Sequence, residues 1–151
     1  MVTKKMWESF RNAFSGFRHC VKNERNFRIH ISAAILAYML SNYYQFTDSE
    51  MVMLTLVIGL VIISEMFNTA VEAIVDLVTE EYHELAKKAK DVAAGAVLFS
   101  AFCSVVSAIF LFFRIDKIKS FINTITLSPL RIFEVLLLLI LLYLFVRGKG
   151  D

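Results

Sequence analysis

With 151 residues the chain is long enough for one domain of usual size and too short for two. Hydrophobic residues make up 58% of it and the mean hydropathy is +0.63, well above the globular norm of roughly 45–50% apolar, which excludes an ordinary soluble domain and predicts a membrane protein. The net charge is only +2, but seven of the sixteen basic residues lie between Lys4 and Arg28, spaced along a helix-like segment and not packed in the kind of block that binds nucleic acid. No nucleic-acid partner is expected; a membrane surface or a phosphate-bearing ligand fits better.

Residues 3 to 22 alternate at helical period, with Met6, Phe10, Ala13, Phe14 and Phe17 on one face and Lys4, Glu8, Arg11, Ser15 and Arg18 largely elsewhere. The pattern predicts an amphipathic helix lying along the membrane interface, with Trp7 as a headgroup-level anchor. No cleavable signal peptide is expected, because the first 28 residues lack a continuous apolar core. Ile29 to Thr47 is a run of nineteen residues without Asp, Glu, Lys or Arg, which predicts the first membrane helix. Thr47 to Glu50 reads as a turn and a helix start, with Thr47 or Asp48 as cap and Glu50 in the first turn. A second apolar segment starts at Met51 and continues into an acidic stripe.

That stripe, SEMFNTAVEAIVD from Ser64 to Asp76, is the most informative stretch. At about 100° per residue, Glu65, Asn68, Glu72 and Asp76 fall within roughly 80° of one helix face. Charges at membrane depth are costly, so carboxylates kept on one stripe indicate a working site. An interhelical salt bridge to Lys or Arg is the structural alternative.

Residues 77 to 91 are dense in charge and return to water, and Val92 to Phe113 gives twenty-two uncharged residues, the third span. Ala93, Ala94, Gly95 and Ala96 would allow close approach of another helix. Arg114 to Ser128 predicts a second interfacial helix; Pro129 suits a helix start, and Ile132 to Val146, apolar apart from Glu134, predicts a fourth, shorter span. The fold class expected is therefore all-α: an amino-terminal interfacial helix, three core membrane helices, and an extra interfacial helix with a fourth span. The amino-terminal segment and the 77–91 loop hold ten of the sixteen basic residues, which places both in the cytoplasm, together with Arg147 and Lys149, and leaves the 114–131 loop outside.

Cys20 and Cys103 have no metal-ligand spacing and read as packing residues. Glu80 and His83 have the ExxH spacing of carboxylate-bridged metal bundles, but a second ExxH is missing. Lys87 and Lys88 read as a solvated pair facing lipid headgroups. On the expected topology Glu24, Arg25 and Arg28 gather with Glu65, Asn68, Glu72 and Asp76, and with Lys87, Lys90 and Asp91. Carboxylates beside cations at a membrane edge are the parts needed to hold a magnesium nucleotide against a lipid hydroxyl. No GxxxxGK[ST] loop or Gly-rich kinase loop is present, which excludes a soluble-type nucleotide fold. A non-enzymatic small membrane transporter or assembly factor, with intramembrane acids relaying protons, is the competing class.

Three strings, NERNFRIH (23–30), EMFNTAVEAIVD (65–76) and HELAKKAKDVAAGAV (83–97), closely resemble the small integral-membrane lipid kinases, the family of bacterial diacylglycerol kinase and undecaprenol kinase. Gly16, Phe17 and Arg18 also match its pattern. The resemblance covers about residues 9 to 113 and divides the chain into a lipid kinase core, 1–113, and a carboxy-terminal extension, 114–151. It implies ATP- and Mg2+-dependent phosphorylation of a membrane lipid alcohol at the cytoplasmic face of a bacterial cell membrane, by a homotrimer. By motif, Glu65 would be the general base with Asn68 beside it, and Glu24 and Glu72 would hold magnesium. Lys90 would contact phosphate, His83 and Asp91 would lie toward the nucleoside, and Asp76 and Arg28 would support the nucleotide. His30 after NFRI and the string AKDVAAGAV resemble the undecaprenol-kinase branch, which favours undecaprenol over diacylglycerol as substrate.

Overall fold

A computed structural model describes residues 2–78 and 81–148. Among these there are six helices and no strand: α1 (Val2–Asn23), α2 (Arg25–Tyr44), α3 (Asp48–Val78), α4 (Glu84–Phe112), α5 (Ile115–Thr126) and α6 (Pro129–Arg147). The all-α membrane architecture expected from the sequence is the one observed.

The apolar face of α1 is uncovered over most of its length, with Met6, Trp7, Phe10 and Phe14 all exposed. A face of this kind, left open by protein, suits a helix embedded at the headgroup boundary. Only the end of α1 is packed inward: Phe17 meets Phe27 edge to face at 5.3 Å, and Cys20 is buried. Glu24 alone separates α1 from α2, in an extended conformation (φ −99°, ψ 112°), with its N–H donating to Cys20 O at 2.9 Å.

Helix α2, over the run expected to be the first membrane helix, starts earlier and stops earlier than that run, and is not among the helices long and apolar enough to span. Gln45 adopts the left-handed conformation (φ 53°, ψ 57°) and, with Phe46, donates back to Asn42 O and Ser41 O, which closes α2 at Tyr44. Thr47 lies just before the next helix, α3, and caps it. It forms a capping box in which Glu50 N–H donates to Thr47 Oγ1 (3.4 Å) and Thr47 N–H to Glu50 Oε2 (2.8 Å). The charged 77–91 stretch is also more helical than expected, since α3 runs on to Val78 and α4 begins at Glu84.

Three helices, α3, α4 and α6, are long and apolar enough to cross a membrane. At 20 residues α2 reaches about 30 Å, but it carries Arg25, Arg28 and His30 and turns its polar side inward. Ser32 and Ser41 are buried on it, with hydroxyls donating to Arg28 O (2.9 Å) and Tyr38 O (2.8 Å), so neither polar group is left unsatisfied. The protein core is small, centred on Phe27, Tyr44, Leu54, Val61 and Leu111, and most apolar side chains face outward, far beyond what a soluble surface carries. Together with the three apolar helices, this describes a multi-pass membrane protein.

The bundle has two distinct ends. At one, Arg114 pairs with Glu50 and lies 5.7 Å from the Phe46 ring, Phe46 stacks on Phe112 at 5.0 Å, and Tyr43 meets Phe121 of α5 at 4.9 Å. At the other, Arg28 Nε donates to Val146 O at the end of α6 (3.1 Å). Helix α6 thus traverses the same thickness as α2, in the opposite direction. Its 19 residues, about 28 Å, also exceed the fifteen-residue apolar run because Pro129 starts the helix before that run begins. Of the four small residues opening the third span, Ala93 and Ala96 face α3 across a cleft, whereas a Cβ on Gly95 would meet nothing within 4 Å. Lys149 and Glu80 lie outside the described residues.

Candidate active site

Helix α3 carries the acidic stripe from buried to exposed surroundings. Glu65 is 3% exposed and lies against α2, its Oε1 3.2 Å from His30 Nε2. One turn on, Asn68 Nδ2 donates to Glu72 Oε1 at 2.8 Å. Apart from the His30 contact, Glu65 Oε1 and Asn68 Oδ1 are buried oxygens that accept no hydrogen bond among the described residues. Buried acceptors are normally satisfied, so the Asn68 oxygen marks a place where something else donates or coordinates. Glu72 lies one turn beyond Asn68 on the same face of α3, and Glu24 lies in the α1–α2 elbow, whose two helices both pack against α3.

A second locus lies further along. Asp76, one turn beyond Glu72, accepts an ion pair from Lys90 of α4 at 2.5 Å, beside an open cleft of about 340 Å³ that is also bordered by Glu81, Tyr82, His83, Lys87 and Asp91. His83 caps α4, its Nδ1 accepting from Leu85 N–H at 3.2 Å. The Asp76–Lys90 pair is substantially solvent-accessible, so it holds little energy. Of the two lysines expected to be solvated, Lys88 makes an exposed i,i+4 pair with Glu84 at 2.8 Å, while Lys87 borders the cleft.

The structure therefore keeps Glu65, Asn68 and Glu72 on one face of α3, with Glu24 in the neighbouring α1–α2 elbow, and gathers Asp76, His83, Lys90 and Asp91 around one cleft further along α3. Arg28 stands apart. Its guanidinium is buried and donates to backbone carbonyls, Val21 O, Lys22 O and Val146 O. The salt bridges that would have explained the stripe structurally are confined to Asp76, since among the described residues the partner of Glu65 is a histidine and that of Glu72 an amide.

Two features escaped the sequence reading. His30 was read only as a mark of one branch, although a lone imidazole at the start of an apolar run was itself a signal that it had a partner. The contact between Arg28 and Val146 spans 118 positions and has no local signature.

No three carboxylate, imidazole or thiol groups converge as a complete metal site among the described residues. Mg2+ does not demand one, because it binds through one or two carboxylates and completes its shell with substrate phosphates and water. The hard oxygen donors of Glu24 and Glu72, beside the orphaned Asn68 oxygen, fit that habit.

Comparison with known proteins bears on what such an arrangement does. The family model described as prokaryotic diacylglycerol kinase matches residues 11–112. The chain belongs to the prokaryotic diacylglycerol kinase family. It is 41% identical over 106 residues to a diacylglycerol kinase of Synechocystis, covering 70% of this chain and 61% of that protein, so it spans under two thirds of that relative's length. It is 36% identical over 108 residues to the undecaprenol kinase of Bacillus subtilis (72% of this chain, 88% of that protein), and 35% identical over 95 residues to the diacylglycerol kinase of Escherichia coli K12 (63% and 78%). The family match ends at the last residue of α4, and α5 and α6 lie beyond it.

Proposed function

We propose that this protein phosphorylates a membrane lipid alcohol with ATP and Mg2+, and that undecaprenol is preferred over diacylglycerol. The observation that carries the reading is the position of Glu65: a carboxylate buried at membrane depth, on the same helix face as acids that reach the aqueous end. A lipid hydroxyl must approach from the hydrocarbon side and a nucleotide from water, and α3 offers acceptors to both.

In this reading Glu65 takes the proton of the lipid hydroxyl, and the resulting oxygen attacks the γ-phosphorus of ATP. The new P–O bond forms as the bond to ADP breaks, with positioning and charge neutralisation supplying most of the rate. Asn68 orients the hydroxyl beside Glu65. Glu24 and Glu72 would hold Mg2+, which when bound neutralises charge on the phosphates. Lys90, released from Asp76, contacts phosphate, and the cleft bordered by His83 and Asp91 receives the nucleoside side. An apolar cleft of about 600 Å³ between α3 and α4, bordered by Phe67, Asn68 and Ala96, suits a lipid chain beside these groups. The core comprises residues 1–113, the active end faces the cytoplasm, and the working unit is a homotrimer whose neighbours cover part of the outward-facing apolar surface. The undecaprenol preference draws support from the Bacillus subtilis relative, matched over 88% of its length, and from His30 after NFRI and the string AKDVAAGAV.

The test is direct. Purified protein given labelled ATP, Mg2+ and either undecaprenol or diacylglycerol should label both lipids, undecaprenol faster at equal concentration. Faster labelling of diacylglycerol would reverse the preference, and no labelling of any lipid would overturn the kinase reading. His30→Ala removes the nearest polar contact of a buried carboxylate, a loss worth about 1.5–3 kcal/mol. We expect a lower melting temperature in detergent together with about tenfold slower turnover; an unchanged rate would show that His30 does not support Glu65.

A further inference from the structure

An α-helix ends with carbonyls that have no partner inside the helix, at the negative end of its dipole. Arg28 meets two such ends at once. Nη1 donates to Val21 O (3.3 Å) and Lys22 O (3.1 Å) in the last turn of α1, and Nε donates to Val146 O (3.1 Å) in the last turn of α6. The guanidinium is planar, always charged and rich in fixed donors, which is what capping two helix ends demands. The residue after α6 is fitted to the same contact. Gly148 has φ +70° and ψ 173°, a conformation open essentially to glycine alone, and a Cβ there would sit 3.1 Å from Arg28 Nη2 and 3.3 Å from Cζ. Arg28 is tied in turn to the elbow, its own N–H donating to Glu24 O at 3.2 Å.

We propose that α6 acts on the reaction through Arg28: its carboxy-terminal carbonyls hold Arg28, and Arg28 holds the α1–α2 elbow so that Glu24 is presented to the metal-nucleotide site. Arg28 is then a positioning residue and not a phosphate ligand, and the segment beyond the family match sets nucleotide affinity. The proposal rests on the kinase reading of Glu24.

The test uses the full-length chain carrying Cys103→Ser, which leaves Cys20, buried beside the elbow, as the single thiol. Gly148→Val should lift the end of α6 from Arg28, and Arg28→Lys should leave the helix ends without a fork that can serve both. Both variants should label faster at Cys20 with a thiol reagent and raise the KM for MgATP about threefold or more, with the lipid KM unchanged. Wild-type labelling and wild-type MgATP KM in Gly148→Val would overturn the proposal. Faster labelling with an unchanged MgATP KM would also overturn it, by showing a contact that does not reach Glu24. Should Gly148→Val fail to fold, Arg28→Lys carries the same comparison. If the unmodified chain phosphorylates no lipid, the kinase reading falls and takes this proposal with it, whatever the labelling shows.

Discussion

Glu65→Gln should abolish lipid phosphorylation while leaving nucleotide binding largely intact. The amide keeps the shape of the side chain and its place beside His30 but cannot accept the hydroxyl proton. General-base catalysis contributes about 100- to 10,000-fold, so the loss corresponds to roughly 3–5.5 kcal/mol of transition-state stabilisation. Burial argues for the upper part of that range: at 3% exposure, bulk water has little access to replace the missing base. Turnover measured with labelled ATP, alongside equilibrium binding of a fluorescent nucleotide, separates the two effects. Near-wild-type turnover would mean that Glu65 is not the base.

Glu72→Gln should show the complementary pattern. Gln can still accept the hydrogen bond from Asn68 Nδ2, now 2.8 Å from Glu72 Oε1, so the helix face is preserved and only the charge is lost. An interaction with a charged partner is worth about 1.5–3 kcal/mol, or roughly 10- to 150-fold in affinity. We expect the MgATP KM to rise by at least about tenfold, with the Mg2+ dependence of binding shifted to higher concentration. A Mg2+ titration that superimposes on wild type would remove Glu72 from the metal site.

How far the sequence reached depended on the range of the interaction. Glu65, Asn68, Glu72 and Asp76 share a face because of helical period alone, and the structure keeps them there; the Asn68–Glu72 bond is the i,i+4 contact their spacing allows. Thr47 and Glu50 were likewise legible, since a capping box is written within four residues. The end of α2 was misjudged because Gln45 in a left-handed turn leaves no mark on an uncharged run: hydropathy registers Gln45 as one more residue without charge, while the backbone reverses there. Arg28 was assigned by motif to the nucleotide, and its carbonyl partners on α1 and α6 became visible only once the helices were packed.

The unbroken length of α3 has one more consequence. Its 31 residues make a rod of about 46 Å, against a hydrocarbon layer of about 30 Å. Counted from Asp48, Glu65 lies about 26 Å along the rod and Glu72 about 36 Å, so a layer of that thickness entered at Asp48 would end between them. In the proposed reaction the lipid alcohol stays on the oil side and the nucleotide on the water side. A stiff helix straddling such a boundary would let them meet without either being carried across, with acceptors seven residues apart on its two sides.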